Sequence, residues 1–263
     1  MIALITLHMS KDINWSIIGA GDVCKVKSGP AFNAISSSKL KVVMRRDLKE
    51  ALKMQGLLGA ENATNSREHA LSCPDVNSVY IATPPASHKD LVIEALQRGL
   101  HVYVEKPLAL TYAEAKEVAV EVDVDEEHKL VVAHYRRALD AFKHVKDLVC
   151  EDGALGTPRV AIIETWQACP DDRLPGAATK DWRIDPAIAG GGRFNDLSPH
   201  QLDLMFLFFG DEVVHCSGHS LRQVNAEGTA DDNTSGTFVL RDSKSGRLTM
   251  CSGTWVFGVR PED

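Results

Sequence analysis

The stretch Trp15-Ser-Ile-Ile-Gly-Ala-Gly-Asp-Val-Cys24 decides the fold of the first half of the chain. Its apolar beginning predicts a buried strand, and Gly19 permits the tight turn that ends the strand. Gly21 removes the side chain at a place where a ligand would approach the backbone. The sequence therefore predicts a strand that runs directly into a glycine turn.

A helix is expected to follow this turn. Asp22 and Val23 stand at its start, where unpaired backbone N–H groups favour a bound anion such as a pyrophosphate. The usual fingerprint has a third glycine here, and this chain has Cys24 instead. Cysteine is small enough for contact between helix and strand, but the departure weakens the motif. A two-glycine turn is compatible with a nucleotide site and with an ordinary turn. The motifs that follow in the sequence must distinguish between these two interpretations.

Strands and helices alternate after the glycine turn. Strands are predicted at 40–44, 76–82, 102–104 and 130–135, and helices at 47–59, 66–72, 89–98 and 111–122. This order is typical of an α/β fold with a doubly wound parallel sheet of the Rossmann type.

Two arginines, Arg45 and Arg46, follow the second predicted strand. A dinucleotide-binding unit contacts the adenosine ribose here, with a carboxylate for the 2′-hydroxyl of NAD or an arginine for the 2′-phosphate of NADP. We therefore expect NADP as the preferred cofactor and NAD as the alternative, while a solvated arginine pair is the purely structural interpretation. Asp47 would reverse the choice if it turned inward, but its position suits the N-cap of the next helix.

Two more turns follow predicted strands. Thr83-Pro84 and then His88 come after the third strand, and Glu105-Lys106-Pro107 comes after the fourth. Parallel strands end at the same edge of a sheet, and ligands bind at that edge. Lys106 is therefore either a catalytic group or a solvated lysine in a loop. His88 either lies near a cofactor or caps a helix.

The second half of the chain has a different pattern. We place a domain boundary after the strand at 130–135, which gives a dinucleotide-binding domain at 1–135 and a second domain at 136–263. The second domain is predicted to be α+β with an open, mainly antiparallel sheet, from strands at 159–166, 213–224, 234–241 and 247–257 and helices at 139–149 and 194–209. Its last strand, ending at Val256-Phe257, is expected at an apolar edge, which favours a homo-oligomer.

A long segment at 168–192, rich in Pro, Asp and Gly, is interpreted as a functional loop. Trp182-Arg183 lies within it, and packing is the alternative role for the tryptophan. The helix that follows carries Asp196 and His200, four residues apart and on one face, so the carboxylate can orient the imidazole. A histidine satisfied by a helix cap is the alternative. Pro199 is expected near the helix start, where it costs little.

Composition excludes several classes of function. The 263 residues are 44% hydrophobic and 25% charged, with a net charge of −7, which disfavours nucleic acid and acidic membranes as partners. Six scattered cysteines without metal-ligand spacing indicate reduced thiols, no metal site and a cytoplasmic location. No run approaches the length of a membrane span, and the apolar run at 2–7 is too short for a signal sequence.

Taken together, the Gly19 turn and the motifs containing Thr83, Lys106 and His200 resemble the glucose–fructose oxidoreductase / inositol dehydrogenase / rhizopine-catabolism (Gfo/Idh/MocA) family over residues 15–257. The resemblance implies roles for a wider set: a catalytic constellation of Lys106, Asp196 and His200, a contact of Glu105 with the nicotinamide ribose, and a loop near cofactor and substrate containing Trp182 and Arg183. It also implies hydride transfer between NADP or NAD and a hydroxyl or carbonyl carbon of a sugar, polyol or related small molecule.

An inactive, cofactor-binding regulatory relative is the competing interpretation. Family members usually continue beyond the point where this chain stops, so the second domain is expected to be shortened at its C-terminus. The presence of Lys106, Asp196 and His200 together favours the enzyme.

Overall fold

The computed structural model describes residues 12–124, 127–151, 154–168, 182–223 and 229–259. The chain divides into two units, one ending at Ala133 and one beginning at His134. The boundary expected from the sequence follows residue 135. Cys169, most of the predicted loop at 168–192, the apolar run at 2–7 and residues 260–263 lie outside the described residues.

The first unit contains a six-stranded sheet. Its strands are β1 (Ile13–Ile18), β2 (Ser38–Met44), β3 (Asn62–Thr64), β4 (Ser78–Ile81), β5 (His101–Val104) and β6 (Leu130–Val132). They lie in the order β3-β2-β1-β4-β5-β6, and every neighbouring pair is parallel. The order reverses between β1 and β4, so the predicted doubly wound sheet is confirmed. Ligands bind such sheets at the carboxyl ends of the strands beside the reversal.

Helical segments connect these strands. They are a π-helical turn at Cys24–Ser28 that continues into α1 (Gly29–Phe32), then α2 (Leu48–Leu58), α3 (Arg67–Ser72), α4 (His88–Gln97) and α5 (Tyr112–Val124). Capping side chains fix where they begin. Ser66 accepts the backbone N–H of His69 at 3.2 Å at the start of α3. Thr111 caps α5 by accepting the Glu114 N–H at 3.2 Å, and the Glu114 side chain accepts the N–H of Leu110, the residue before the cap, at 2.9 Å.

The sheet of the first unit is apolar on both faces. On one face, Ile18, Val79 and Ile81 pack with α3, α4 and α5 in one core cluster. On the other face, Ile17 and Tyr80 pack with α1 and α2 in a second cluster. Successive side chains of a strand point to opposite faces. Neighbouring buried residues of β1 and of β4 therefore belong to different clusters.

The second unit combines a four-stranded sheet with three helices among its described residues. The helices are α6 (Asp140–Lys146), α7 (Pro186–Ala189) and α8 (Gly192–Phe209), and the strands are β7 (Val160–Ala168), β8 (Glu212–Leu221), β9 (Asn233–Arg241) and β10 (Leu248–Val259). The order is β7-β10-β9-β8. The pairs β8–β9 and β9–β10 are antiparallel and β7–β10 is parallel, so the sheet is mixed and mainly antiparallel, as predicted.

The predicted edge position of the last strand is wrong. β10 pairs along Met250–Phe257 with β7 on one side, and with β9 on the other side along Leu248–Val256. Val256 and Phe257 are therefore inside the sheet, because the parallel pairing with β7 joins elements that are distant in sequence. The argument from this edge to a homo-oligomer fails, and the oligomer stays a prediction without that support.

Helix α8 packs on one face of this sheet. Met205 contacts a cluster formed with Ala161, Leu240 and Cys251, which confirms the predicted packing of the helix on the sheet. The helix begins at Gly192, two residues before the predicted start, so Pro199 lies inside it. The expectation that Pro199 costs little is therefore wrong, because a proline here cannot donate to the carbonyl of Asn195.

None of the helices in the described part of the chain is long and apolar enough to cross a membrane.

Two helical glycines offer a matched test of packing in the first unit. A Cβ at Gly29 would lie 2.1 Å from the carbonyl oxygen of Cys24 and 2.5 Å from Cδ2 of Leu58, whereas one at Gly56 would meet nothing within 4 Å. We expect Gly29→Ala to destabilise the protein by about 1–3 kcal/mol, the usual cost of overpacking. Gly56→Ala should stabilise it by about 0.5–1 kcal/mol through its helix propensity.

Urea unfolding of both variants measures this difference. Equal stability of Gly29→Ala and the wild type would show that the segment after the glycine turn is loosely packed.

Candidate functional site

The glycine turn is held against the turn that follows β4. Gly19 has φ +85°, and a Cβ there would lie 2.6 Å from Cγ2 of Thr83 and 2.9 Å from its backbone nitrogen. Any larger residue is therefore excluded by both conformation and space. A Cβ at Gly21 would meet its nearest atom, the Gly19 oxygen, at 3.8 Å. The space beside Gly19 is therefore filled by Thr83, whereas the space beside Gly21 is free. A ligand that approaches the backbone needs such free space at Gly21.

The residues after the turn form the start of a helical segment. The carbonyl of Gly21 accepts the N–H groups of Cys24 at 3.1 Å and Lys25 at 3.3 Å. Asp22 is exposed and forms an ion pair with Lys25 at 2.8 Å, and Val23 is also exposed. The backbone N–H groups at this start suit the phosphates of a dinucleotide, so this part of the chain fits such a cofactor.

Cys24 occupies the position of the third glycine. It is fully buried and packs with Ile17 of β1 and Met54 of α2. Burial raises the pKa of its thiol to about 11. The side chain therefore acts as a small apolar group between helix and strand, the role that the sequence predicted for it.

The two arginines after β2 have different environments. Arg45 is half-buried and its N–H donates to the carbonyl of Thr64 at 3.1 Å, while Arg46 is exposed. Asp47 caps α2, accepting the N–H groups of Lys49 at 2.8 Å and Glu50 at 3.4 Å. Its carboxylate is thus used in the helix cap, as the sequence predicted.

His88 lies between the turns that follow β4 and β5. It is fully buried, with Nε2 at 2.8 Å from the carbonyl oxygen of Thr83 and Nδ1 at 2.8 Å from that of Pro107. A neutral imidazole can donate to one of these carbonyls, and only an imidazolium can donate to both. Burial is the largest influence and lowers the pKa of His88, whereas both carbonyls and Glu105 act in the opposite direction. A neutral ring that donates from Nδ1 to Pro107 connects the two turns by one hydrogen bond, and an imidazolium bonds to both carbonyls.

Glu105, Lys106 and Pro107 follow β5 at the same edge of the sheet. The N–H of Glu105 donates to the carbonyl of Ile81 at 2.9 Å, and its carboxylate accepts the hydroxyl of Tyr80 at 2.6 Å. Lys106 precedes a cis peptide bond to Pro107 and is half-buried. The structure therefore brings the turns containing Gly19, Thr83 and Lys106 together within the first unit.

The second unit holds the other predicted residues. Trp182 and Arg183 lie in a 3₁₀ turn at Trp182–Ile184, with the guanidinium of Arg183 4.6 Å from the centre of the Trp182 ring. Arg183 Nε lies 3.3 Å from Oδ2 of Asp196. Asp196 thus forms an ion pair with Arg183, a contact that the sequence did not predict.

His200 is buried in α8 among aromatic and charged groups. The ring of Tyr135 meets it edge-on at 5.3 Å between centres, and the ring of His134 at 6.4 Å. One turn further along α8, both carboxylate oxygens of Asp203 accept from Nε of Arg137, at 2.9 and 2.8 Å, and Nη2 of Arg137 lies 2.7 Å from Oδ1. Nδ1 of His134 is 3.9 Å from the same carboxylate.

Several of these partners were missed from sequence. Tyr80 carried a signal only as a polar group between the apolar residues Val79 and Ile81. Asp203 shares the face of His200 by helix spacing, but its partner Arg137 lies 66 residues away, and nothing local pairs them. Among the described residues, no group of three or more His, Cys, Asp or Glu side chains is arranged to hold a metal ion.

A parallel sheet with an open glycine turn at its point of reversal defines a class of dinucleotide-binding proteins. Residues 13–135 match the family model described as "Oxidoreductase family, NAD-binding Rossmann fold", and residues 142–259 match that of the GFO/IDH/MocA C-terminal domain. The chain belongs to the Gfo/Idh/MocA family of oxidoreductases.

Individual relatives agree with this assignment. The chain is 36% identical over 249 residues to Oxidoreductase P35 of Formosa agariphila, covering 95% of this chain and 74% of that protein. It is 29% identical to levoglucosan dehydrogenase of Pseudarthrobacter phenanthrenivorans, covering 76% of this chain but only 52% of that protein. A solved structure of levoglucosan dehydrogenase in complex with NADH shares the fold, with a TM-score of 0.75, 24% identity and coverage of 92% of this chain and 67% of that one.

The burial of His88 predicts a pH effect on stability. Its pKa in the folded protein lies below the ordinary value of 6.5, so the unfolded chain binds a proton more readily. The stability contributed by His88 should be complete above pH 6.5 and decline as the pH falls towards the folded pKa, by at most about 1.4 kcal/mol per pH unit. The difference in unfolding free energy between wild type and His88→Gln should therefore shrink between pH 7.5 and 5.

The exposed His69 provides a matched control, and His69→Gln should leave the pH dependence close to that of the wild type. A difference for His88→Gln that grows at low pH would contradict the prediction, and would indicate an imidazolium that donates to both carbonyls.

Proposed function

We propose that this protein is an NAD(P)-dependent dehydrogenase or reductase that acts on a hydroxyl or carbonyl carbon of a sugar, polyol or related small molecule. Membership of the oxidoreductase family supports the reaction class. The substrate class is supported by the relative named levoglucosan dehydrogenase, which acts on a sugar derivative.

The arrangement of the three turns in the first unit carries this proposal. The Gly19 turn is packed against Thr83, and His88 links the Thr83 turn to the turn of Lys106 and Pro107. A lysine is thereby held at the same sheet edge as the glycine turn that suits the cofactor phosphates. This placement favours a catalytic role for Lys106 over that of a solvated lysine in a loop.

We assign the remaining predicted residues as follows. The proposed catalytic group is Lys106, His200 and Asp196. The residues that we propose to form or support the cofactor site are Gly19, Gly21, Asp22, Val23, Arg45, Arg46, Thr83, Pro84, His88, Glu105, Trp182 and Arg183. The burial of His200 in α8 beside Tyr135 and His134 supports a defined ring orientation. Asp196 pairs with Arg183, and this ion pair connects the Trp182–Ile184 turn with α8.

A nicotinamide cofactor supplies the acceptor or donor of the hydride when it is bound. The residues of this chain handle the proton. When the hydride leaves a carbinol carbon, the hydroxyl loses its proton to Lys106 or His200, and the carbon–oxygen bond becomes a carbonyl. In the opposite direction the same group donates the proton to the carbonyl oxygen as the hydride arrives.

Replacement of Lys106 tests the chemical step. Lys106→Ala should lower kcat by about 10²–10⁴, the usual contribution of a positioned acid or base, while the Kd of the cofactor changes only a few-fold. The control is Lys89→Ala. Lys89 lies on a helix of the same unit, where it forms an ion pair with Glu117 at 3.1 Å, so this variant removes a lysine outside the proposed site and should leave kcat nearly unchanged. Turnover should be measured with a panel of sugars, polyols and dicarbonyls.

Unchanged turnover in Lys106→Ala would remove Lys106 from the mechanism. A wild-type protein that binds NADH or NADPH but turns over no member of the panel would favour the regulatory relative over the enzyme.

The choice between NADP and NAD is a finer part of the proposal. Asp47 is engaged by the N–H groups of α2, which supports the arginines as the groups at the adenosine ribose. A charge-assisted bond from a guanidinium to the 2′-phosphate is worth about 1.5–3 kcal/mol, a ten- to hundredfold preference for NADP.

Arg45→Ala should therefore weaken NADPH binding by about ten- to hundredfold and leave NADH nearly unchanged. Arg46→Ala, made in parallel, shows which arginine carries the effect. Asp47→Ser keeps a capping side chain but removes the carboxylate, so it should bind NADH as the wild type does. Loss of NADH binding in Asp47→Ser would reverse the assignment in favour of NAD. Equal affinity of the wild type for the two cofactors would show that the predicted preference for NADP is wrong.

A further inference from the structure

Tyr80 is a buried tyrosine in β4. Its side chain is fully buried, and its neighbours in the strand, Val79 and Ile81, are apolar. A buried phenol needs a partner for its hydroxyl, and the Tyr80 hydroxyl donates to Oε1 of Glu105 at 2.6 Å. The hydroxyl thus connects the core of the sheet with the residue directly before Lys106.

The ring of Tyr80 is fixed by other aromatic side chains. It stacks on Tyr103, its register partner in β5, with ring centres 5.2 Å apart and an angle of 26°. Phe32 lies 5.3 Å away, and Trp15 contacts both Phe32 and Tyr103 edge-on. Interlocked rings in a close-packed core leave the hydroxyl little freedom to move.

The direction of this hydrogen bond is also fixed. Burial and the charge of Glu105 raise the pKa of Tyr80 far above its ordinary range, so the phenol keeps its proton. A protonated phenol beside a carboxylate donates, and the carboxylate accepts. Glu105 is therefore held at two points, by its backbone N–H on the carbonyl of Ile81 and by its carboxylate on Tyr80.

We propose that Tyr80 is a positioning residue of the cofactor site, which acts by orienting the carboxylate of Glu105 towards the ribose of a bound nicotinamide dinucleotide. The inference rests on the proposed function for the role of Glu105, and adds the residue that fixes its geometry. Preorganisation of this kind lowers the loss of side-chain freedom on binding and so appears as affinity.

The test compares two tyrosines of one aromatic cluster. Tyr80→Phe keeps the ring and removes the bond to Glu105, whereas Tyr103→Phe removes the hydroxyl of the stacked ring, for which no bond to Glu105 is seen. Titration of each protein with NADH and NADPH, followed by cofactor fluorescence, gives the Kd. We expect Tyr80→Phe to weaken binding by about two- to tenfold, because the freed Glu105 side chain must then be ordered when the cofactor binds, and Tyr103→Phe to leave binding nearly unchanged.

A double-mutant cycle with Glu105→Ala distinguishes positioning from a general structural role. If Tyr80 acts through Glu105, then Tyr80→Phe should weaken binding in the wild-type background and have little further effect in Glu105→Ala. Equal weakening in both backgrounds, whether or not the melting temperature falls, would overturn the proposal, because the effect would not pass through Glu105. Unchanged affinity in Tyr80→Phe would overturn it as well.

The same data separate this failure from failure of the proposed function. Wild-type protein that binds neither nucleotide would refute the cofactor assignment and this inference with it. Wild-type binding that persists unaltered in Glu105→Ala would leave the cofactor assignment standing and overturn the positioning role.

Discussion

The close approach of the Gly19 turn to Thr83 is the contact on which the first unit depends. It lies where the strand order reverses, with β1 between β2 and β4. Only a glycine backbone fits, because a Cβ would lie 2.6 Å from Thr83. This contact brings the turns after β1 and β4 together, and His88 extends the arrangement to the turn after β5. One steric requirement therefore sets the positions of three loops at the ligand-binding edge.

The polar groups beneath this edge stabilise it at discrete points. His88 and Tyr80 are both fully buried, and each connects the core with a loop residue, His88 with Thr83 and Pro107 and Tyr80 with Glu105. A buried polar group without its partner is costly, so each bond favours one loop conformation over the others. The sheet thus supplies both the apolar core and the polar supports of the site. In the second unit, the ion pair of Arg137 and Asp203 connects the segment before α6 with α8.

Local chemistry made much of the fold predictable. Asp47 begins its helix as expected, since a cap depends on residues within one turn. The doubly wound parallel sheet followed from the alternation of strands and helices, and the turn after β1 followed from its glycines. The place of β10 between β7 and β9 was not predictable, because strand neighbours distant in sequence leave no local signal. The partners of Glu105 and Asp203 were missed for the same reason, so the sequence named candidate residues but not their contacts.

The burial of Cys24 has a consequence for the chemical reactivity of the chain. With a pKa of about 11, its thiol is ionised in roughly one molecule in ten thousand at pH 7, and the thiolate is the form that reacts. Cys150 and Cys216 are exposed. Alkylating agents and mild oxidants will therefore reach Cys150 and Cys216 more readily than Cys24. Labels for spectroscopy can be attached to these two thiols of the natural sequence without altering the helix start after the glycine turn.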